Sequence, residues 1–204
     1  MLENIHWLGH ASFRIENAQV IYIDPWKLKS FRPADLILVT HAHHDHFSPE
    51  DIRKIAGPQT VIVCPFDCVG KVPGQVRAIA VGQAVQVGDV RVEAVPSYNT
   101  NKPNHPKEHG NVGYVVEVGG QRIYHAGDTD VIPEMADVRC DVALLPVGGT
   151  YTMNAREAAQ ALSQIRPKTA VPMHWGGLVG SQEDAERFKR DAPQGVEVVI
   201  LRAE

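Results

Sequence analysis

Apolar and polar positions change over in short blocks through the first third of the chain. NIHWLGHASFRIE (4–16) and AQVIYIDP (18–25) run or alternate apolar, punctuated by Gly9 and Asn17, and predict a meander of short antiparallel strands. ADLILVT (34–40) is a continuous apolar run, as a strand buried on both faces would be. SPEDIRKIA (48–56) then changes period: Ser48 is an N-cap residue, Pro49 suits the first helical position and Asp51 stands at capping-box spacing. TVIVC (60–64) predicts another buried strand. VRAIAVGQAVQVGDVRVEAVPS (76–97) predicts strands joined by tight turns at Gly82 and Gly88. Residues 98–111, YNTNKPNHPKEHGN, are polar, aperiodic and hold two prolines, long for a connection inside a compact fold, and such loops tend to serve function.

Beyond that loop, VGYVVEVGGQRIYHAGDTD (112–130) predicts a hairpin turning at Gly119–Gly120, and CDVALLPVGG (140–149) a buried strand. NAREAAQALSQIR (154–166) is a helix capped by Asn154, with Glu157 three residues later and Pro167 after its end. TAVPMHW (169–175) is a short strand, SQEDAERFKRDA (181–192) a second capped helix and VEVVILR (196–202) a last strand. Strand meanders mixed with strand–helix–strand units in both halves imply an α/β fold of two packed sheets with helices outside.

Totals narrow the function classes. A chain of 204 residues with 44% apolar and 22% charged residues is an ordinary globular composition, expected to form one domain over 1–204. A net charge of −4 disfavours a broad nucleic-acid surface. Three cysteines, Cys64, Cys68 and Cys140, make no disulfide framework and read as buried or reduced thiols. No apolar run approaches membrane-span length and the first residues carry no leader pattern, so a cytoplasmic location without membrane association is expected.

Chemistry concentrates in VTHAHHDHFSPED (39–51), where four histidines and two aspartates follow the buried strand and precede the capped helix. Residues two apart in an extended segment project to one side, so His41 and His43 can converge on one ion while His44 points away. Asp45 and His46, where the chain turns, can face a second point nearby. Imidazole and carboxylate without thiolate favour zinc, iron or manganese. Asp128 in IYHAGDTD and His174 in AVPMHWGG stand at other strand ends beside glycines, and offer a carboxylate and a further imidazole. His10 in LGHAS is either a further group near the metals or a histidine packed between strands. Asp24 in YIDP either accepts from the outer nitrogen of a ligating histidine or caps a turn before Pro25. His6 and His125 are expected to be structural.

THAHHDH, GDTD and MHWGG, in this order, resemble the His-x-His-x-Asp-His, bridging-aspartate and final-histidine motifs of the metallo-β-lactamase superfamily. WLGHASFRI followed by YIDP is similar to the branch that contains ascorbate-phosphate lactonases. The resemblance runs from Trp7 to about Gly177 and implies a four-layer αβ/βα sandwich with metal at one edge of the sheets. Carried over, it implies His41 and His43 on a first ion, Asp45, His46 and His174 on a second, and Asp128 between them. Two divalent ions are expected, zinc first, with manganese, iron or nickel as alternatives. The pattern departs at the third histidine of the first ion, where SYNT puts Asn99. His105, held between Pro103 and Pro106, is the favoured substitute; His109 and a site with no third histidine are the alternatives.

The implied activity is hydrolysis of an ester, lactone or phosphodiester in a small molecule, with Asp128 setting the ion spacing and Asp45 orienting the attacking water. Lys102 and Lys107 in the 98–111 loop either meet an anionic substrate or are merely solvated. Two rivals share the fold: a mononuclear-iron persulfide dioxygenase and a nuclease. The imidazole at His43 counts against diiron oxygen-reducing relatives. Substrate identity and oligomeric state are open at this level.

Overall fold

The apolar blocks of the first third pair antiparallel and then run parallel. β1 (Ile5–Gly9), β2 (Ser12–Glu16) and β3 (Val20–Ile23) form the meander, and β4 (Ala34–Leu38), β5 (Ala56–Cys64) and β6 (Gln75–Ala78) continue the same sheet in parallel, in spatial order β1 to β6. The computed structural model describes residues 2–204. Period-2 alternation divides the apolar side chains between two cores. Phe13, Ile15, Ile21, Ile23, Leu36, Leu38, Val61 and Val63 face the second sheet. Tyr22, Ile37, Val39, Ile62 and Cys64 face outward beneath Ile52 and Ile55 of helix α1 (Pro49–Ile55). Residue pairs such as Leu36 and Ile37 are both fully buried on opposite faces, which is why ADLILVT carries no polar alternation.

The second sheet holds β7 (Ala84–Val87), β8 (Val90–Pro96), β9 (Val112–Val118), β10 (Gln121–His125), β11 (Val142–Pro146), β12 (Thr169–Met173) and β13 (Glu197–Val198), in the order β13-β12-β11-β10-β9-β8-β7. Strands β7 to β10 are antiparallel and β10 to β13 parallel. Helices α2 (Ala155–Ile165) and α3 (Gln182–Asp191) pack on each other and against β11 and β12. Asn154 and Glu157 close a reciprocal capping box on α2, as the spacing predicts. The layers are helix, sheet, sheet, helix: the four-layer αβ/βα sandwich of the metallo-β-lactamase fold.

Two details differ from the sequence-based expectation. The turn at Gly82 does not close a hairpin, because β6 belongs to the first sheet and β7 to the second; the segment is the crossover between them. VEVVILR yields only the two-residue β13, because the chain leaves the sheet to cross to β1. There the Glu204 N–H donates to the Trp7 carbonyl at 3.0 Å and the Glu204 carboxylate meets Arg14 Nη2 at 2.9 Å. Cys64 and Cys68 are free buried thiols within the core under α1. No helix among the described residues is long and apolar enough to cross a membrane.

Candidate metal centre

Strand ends carry the site. His10 follows β1, Asp24 follows β3, His41 to His46 follow β4, Asp128 follows β10 and His174 follows β12. All of these are carboxyl ends, where loops leaving the sheets converge. His10, Asp24 and His174 have backbone φ of 53°, 47° and 59°, the left-handed region that non-glycine residues rarely adopt. Three such residues in one site indicate backbone strain held by the surrounding fold. Each anchors by its backbone: the His174 N–H donates to the His10 carbonyl at 2.8 Å and the Asp24 N–H to the Leu38 carbonyl at 2.9 Å.

Glycines allow the approach at two points. A Cβ on Gly127, just before Asp128, would meet Ser97 Oγ and the Val112 carbonyl, each at 3.0 Å. A Cβ on Gly148 would lie 2.4 Å from the His174 carbonyl oxygen, so the β11 loop passes His174 only as glycine. Gly148→Ala is expected to lose about 1–3 kcal/mol. That corresponds to a thermal midpoint lowered by roughly 2–10 °C in a melt monitored by circular dichroism.

His41, His43 and His105 form one group of convergent nitrogens. His43 Nδ1 lies 3.1 Å from His41 Nε2 and 3.1 Å from His105 Nε2. Of the two loop histidines it is His105 that converges with His41 and His43, while His109 is exposed. Asn99, at the position where the motif calls for histidine, holds His105 in place. Its Oδ1 accepts from the His105 backbone N–H at 3.1 Å and from the ring at Nδ1, 3.0 Å away, while its own N–H donates to the His105 carbonyl at 2.7 Å. Nδ1–H is thus committed to Asn99 and the Nε2 lone pair faces the cluster.

Asp45, His46 and His174 gather beside His10 in a second group. His10 Nε2 lies 2.9 Å from Asp45 Oδ2, so His10 positions that carboxylate. Asp24, fully buried, accepts from His46 Nδ1 at 2.7 Å and from the Thr40 hydroxyl at 2.7 Å, and the Thr40 hydroxyl in turn stands 3.0 Å from His41 Nδ1. One aspartate thereby fixes His46 directly and His41 through Thr40. Asp128 lies between the groups: Oδ1 is 3.2 Å from His46 Nε2, and Oδ2 is 3.2 Å from His174 Nε2 and 3.5 Å from His105 Nε2.

Several of these buried atoms have no hydrogen-bond partner: His46 Nε2, His174 Nε2 and Asp128 Oδ1. Leaving such groups unpaired is costly unless something else satisfies them. Convergent imidazole nitrogens and carboxylate oxygens without thiolate fit a divalent ion of the zinc, manganese or iron type.

Electrostatics follow from burial and from these contacts. Burial pushes His41 well down and pushes His105 down, so both are neutral and ready to ligate at pH 7. For His46, burial is outweighed by Asp128 and Asp24, which raise it well above the ordinary histidine range. For Asp128, burial is outweighed by His174 and His46, which hold it well below the ordinary carboxylate range, and Asp45 is lowered by His10 and His46 in the same way. Without metal, Asp128 and Asp24 favour the doubly protonated form of His46, and an ion held at Nε2 would displace one proton. Calorimetry in buffers of differing ionisation enthalpy is expected to show release of about one proton as the metal binds at pH 7. Affinity is expected to fall as pH decreases, by about tenfold per pH unit below the raised His46 value.

The group opens to a cavity of about 390 Å³ lined by His43, Asp45, Asn104, His105, Asp128 and Tyr151. His44 points away from the other histidines, with its side chain 78% exposed, and stands at the cavity mouth. Each lysine of the 98–111 loop has a carboxylate neighbour. Lys102 pairs with Asp130, and Lys107 Nζ lies 2.8 Å from Glu134. His125 is structural: its Nε2–H donates to the Ala11 carbonyl at 2.8 Å. Asp130 was missed at the sequence level, although GDTD contains it; its partner is 28 residues away along the chain.

Comparison with known proteins agrees with this picture. The model of the Beta-lactamase superfamily domain matches residues 4–174. A UPF0173 metal-dependent hydrolase of Pyrococcus abyssi is 35% identical over 217 residues, covering 97% of this chain and 96% of the relative. A crystal structure from Parabacteroides distasonis, described as that of a metal-dependent hydrolase, superposes with a TM-score of 0.87 at 32% identity, covering 97% of this chain and 93% of that one. Igni18, a metallo hydrolase from the archaeon Ignicoccus hospitalis, superposes at 0.82 with 25% identity, covering 98% and 94%. Relatedness of this extent, on this fold, means that the chain belongs to the metallo-β-lactamase superfamily and, within it, to the UPF0173 metal-dependent hydrolases.

Proposed function

We propose that this metal-dependent hydrolase holds two divalent ions, zinc first, and cleaves an ester, lactone or phosphodiester bond in a small molecule. The observation that carries the reading is Asp128. Its carboxylate reaches both histidine groups: Oδ1 lies near His46, Oδ2 lies near both His174 and His105, and Oδ1 is buried without a hydrogen bond. His41, His43 and His105 would hold one ion, Asp45, His46 and His174 the other, with Asp128 shared. Manganese, iron or nickel are the alternative metals.

When bound, the ions supply a water acidified towards pH 7 and positive charge for the oxyanion that develops on a carbonyl or phosphoryl group. The chain's own groups do the rest. Asp45, anchored by His10, faces the cavity and accepts a hydrogen bond from the attacking water, fixing its direction. Asp128, held well below the ordinary carboxylate range by His174 and His46, remains anionic. Asn99, Asp24 and Thr40 keep the ring planes fixed, so little reorganisation accompanies the reaction. No serine or cysteine nucleophile is required.

The test is a hydrolysis panel of lactones, carboxylic esters, thioesters and phosphodiesters with protein loaded with zinc, manganese or iron, metal content being measured alongside. Turnover of an ester, lactone or phosphodiester that tracks two ions per chain supports the reading. One iron per chain with oxygen consumption on a persulfide, or cleavage confined to nucleic acid, overturns it.

A further inference from the structure

Beside the metal-facing cavity lies a second one of about 430 Å³, walled by Trp7, Trp26 and Trp175 and rimmed by Lys27 and Lys29. The two are neighbours. Leu178 lines both. His10 borders the tryptophan cleft and touches Asp45 in the metal cavity at 2.9 Å. Trp26 meets His44, at the other mouth, edge to face with ring centroids 6.2 Å apart. All three tryptophans of the chain line this cleft, Trp7 from the edge of the main core and Trp175 packed against that core.

The walls are built for a flat apolar group. Trp7 and Trp175 lie against each other with ring centroids 4.7 Å apart, and each indole N–H is used on a backbone carbonyl: Trp7 Nε1 on His10 at 2.9 Å, Trp175 Nε1 on Pro172 at 3.1 Å. The indoles offer faces and edges, not spare donors. His10 Nδ1 is buried without a partner, so one hydrogen-bonding atom stands at this wall. The rim is cationic. Lys27 Nζ lies 4.2 Å over the Trp26 ring, and neither Lys27 nor Lys29 is paired with a carboxylate among the described residues. The two lysines of the 98–111 loop, by contrast, are both neutralised.

We infer that the tryptophan cleft binds an aromatic, negatively charged portion of the substrate whose hydrolysable bond lies at the metal centre. Aromatic stacking and apolar burial hold the ring; Lys27 and Lys29 select the anion. Leu178 is half exposed in a loop carrying Gly176, Gly177 and Gly180, and divides the ring subsite from the reacting one. This assignment rests on the hydrolytic reading for the placement of the scissile bond, but the cleft is testable without turnover.

The probes are 2-naphthoate and its neutral counterpart 2-naphthamide, titrated against metal-loaded protein by quenching of indole fluorescence and by calorimetry. Saturable binding of both is expected, with naphthoate the tighter. Trp26→Ala is expected to weaken both by about tenfold. The exposed double variant Lys27→Glu/Lys29→Glu, which keeps every indole wall and removes the Lys27 contact over Trp26, is expected to weaken naphthoate about fivefold to tenfold and leave naphthamide within about twofold. No saturable naphthoate binding to the unmodified protein overturns the inference, as does equal affinity in all three proteins. If the hydrolysis panel fails on every bond class, the catalytic reading falls while these titrations still decide the cleft. If it succeeds, aryl esters are expected to outrun methyl esters, and Trp26→Ala to lower that ratio about tenfold.

Discussion

Asp128→Ala is expected to retain the fold and lose both metal and hydrolysis. The residue sits in a loop beyond the end of β10, outside both hydrophobic cores, so its removal opens no apolar cavity. What it removes is the one carboxylate within 3.5 Å of nitrogens from His46, His105 and His174. Without that charge, the imidazole groups on either side have no anion between them, and an ion placed in either group loses a ligand. Activity is expected to fall at least about a thousandfold, roughly 4 kcal/mol of transition-state stabilisation. Metal analysis is expected to show substoichiometric binding, while circular dichroism matches the parent protein. Asp128→Asn keeps the shape without the charge and is expected to lose an intermediate amount. Full turnover by folded, metal-free Asp128→Ala protein would falsify the proposed chemistry.

A large effect is also expected from the pair Asn99 and His105, where this chain departs from the usual motif. His105→Ala removes one of three imidazoles from the first group and is expected to empty that group of metal at micromolar ion concentration. Asn99→Ala leaves the imidazole in place but deletes the acceptor for its Nδ1–H and for its backbone N–H. The ring is then free to turn, and a loss of about 10- to 100-fold in metal affinity is expected. Asn99→Asp retains an acceptor at Oδ1 and is expected to restore most of the affinity lost by alanine. Competition with a chromophoric chelator reads all three variants. Unchanged affinity in Asn99→Ala would show that the backbone between Pro103 and Pro106 orients His105 unaided.

The relation between cavity and cleft also bears on the lysines. Charge alone leaves Lys102 and Lys107 as either anion contacts or merely solvated lysines of the 98–111 loop. Their carboxylate partners, Asp130 and Glu134, come from the segment after β10, and no local pattern announces that pairing. Lys27 and Lys29 sit in a stretch without motif character, yet they are the cations left open beside the site.

Much of the architecture is local and so was legible in the sequence. Period-2 alternation and unbroken apolar runs place β1 to β5, and Ser48–Pro49 and Asn154–Glu157 start helices through contacts three residues apart. The presentation of His41, His43, Asp45 and His46 is local for the same reason: a buried strand delivers them and a capped helix ends the turn. The resemblance of three short motifs extended this to Asp128 and His174. Where β6 and β7 part company was not legible, because the turn at Gly82 has the same residues whether its strands pair with each other or with separate sheets.

Sequence by itself determined most strands, the capped helices and the presentation of the histidine cluster, all set by neighbours within a few residues, while the αβ/βα layering was implied by the resemblance of the motifs. Only the tertiary structure decided that His105 joins His41 and His43 with Asn99 as its support, that Asp24 braces His46 and that His10 braces Asp45. It also decided which lysines remain unpaired and that three tryptophans meet beside the site. Each of these depends on strand ends distant in the chain arriving at one edge, and on left-handed backbone at His10, Asp24 and His174. Such conformations are held by long-range packing, and histidine and aspartate, though they adopt them more readily than most residues, do so too rarely for the sequence to announce it.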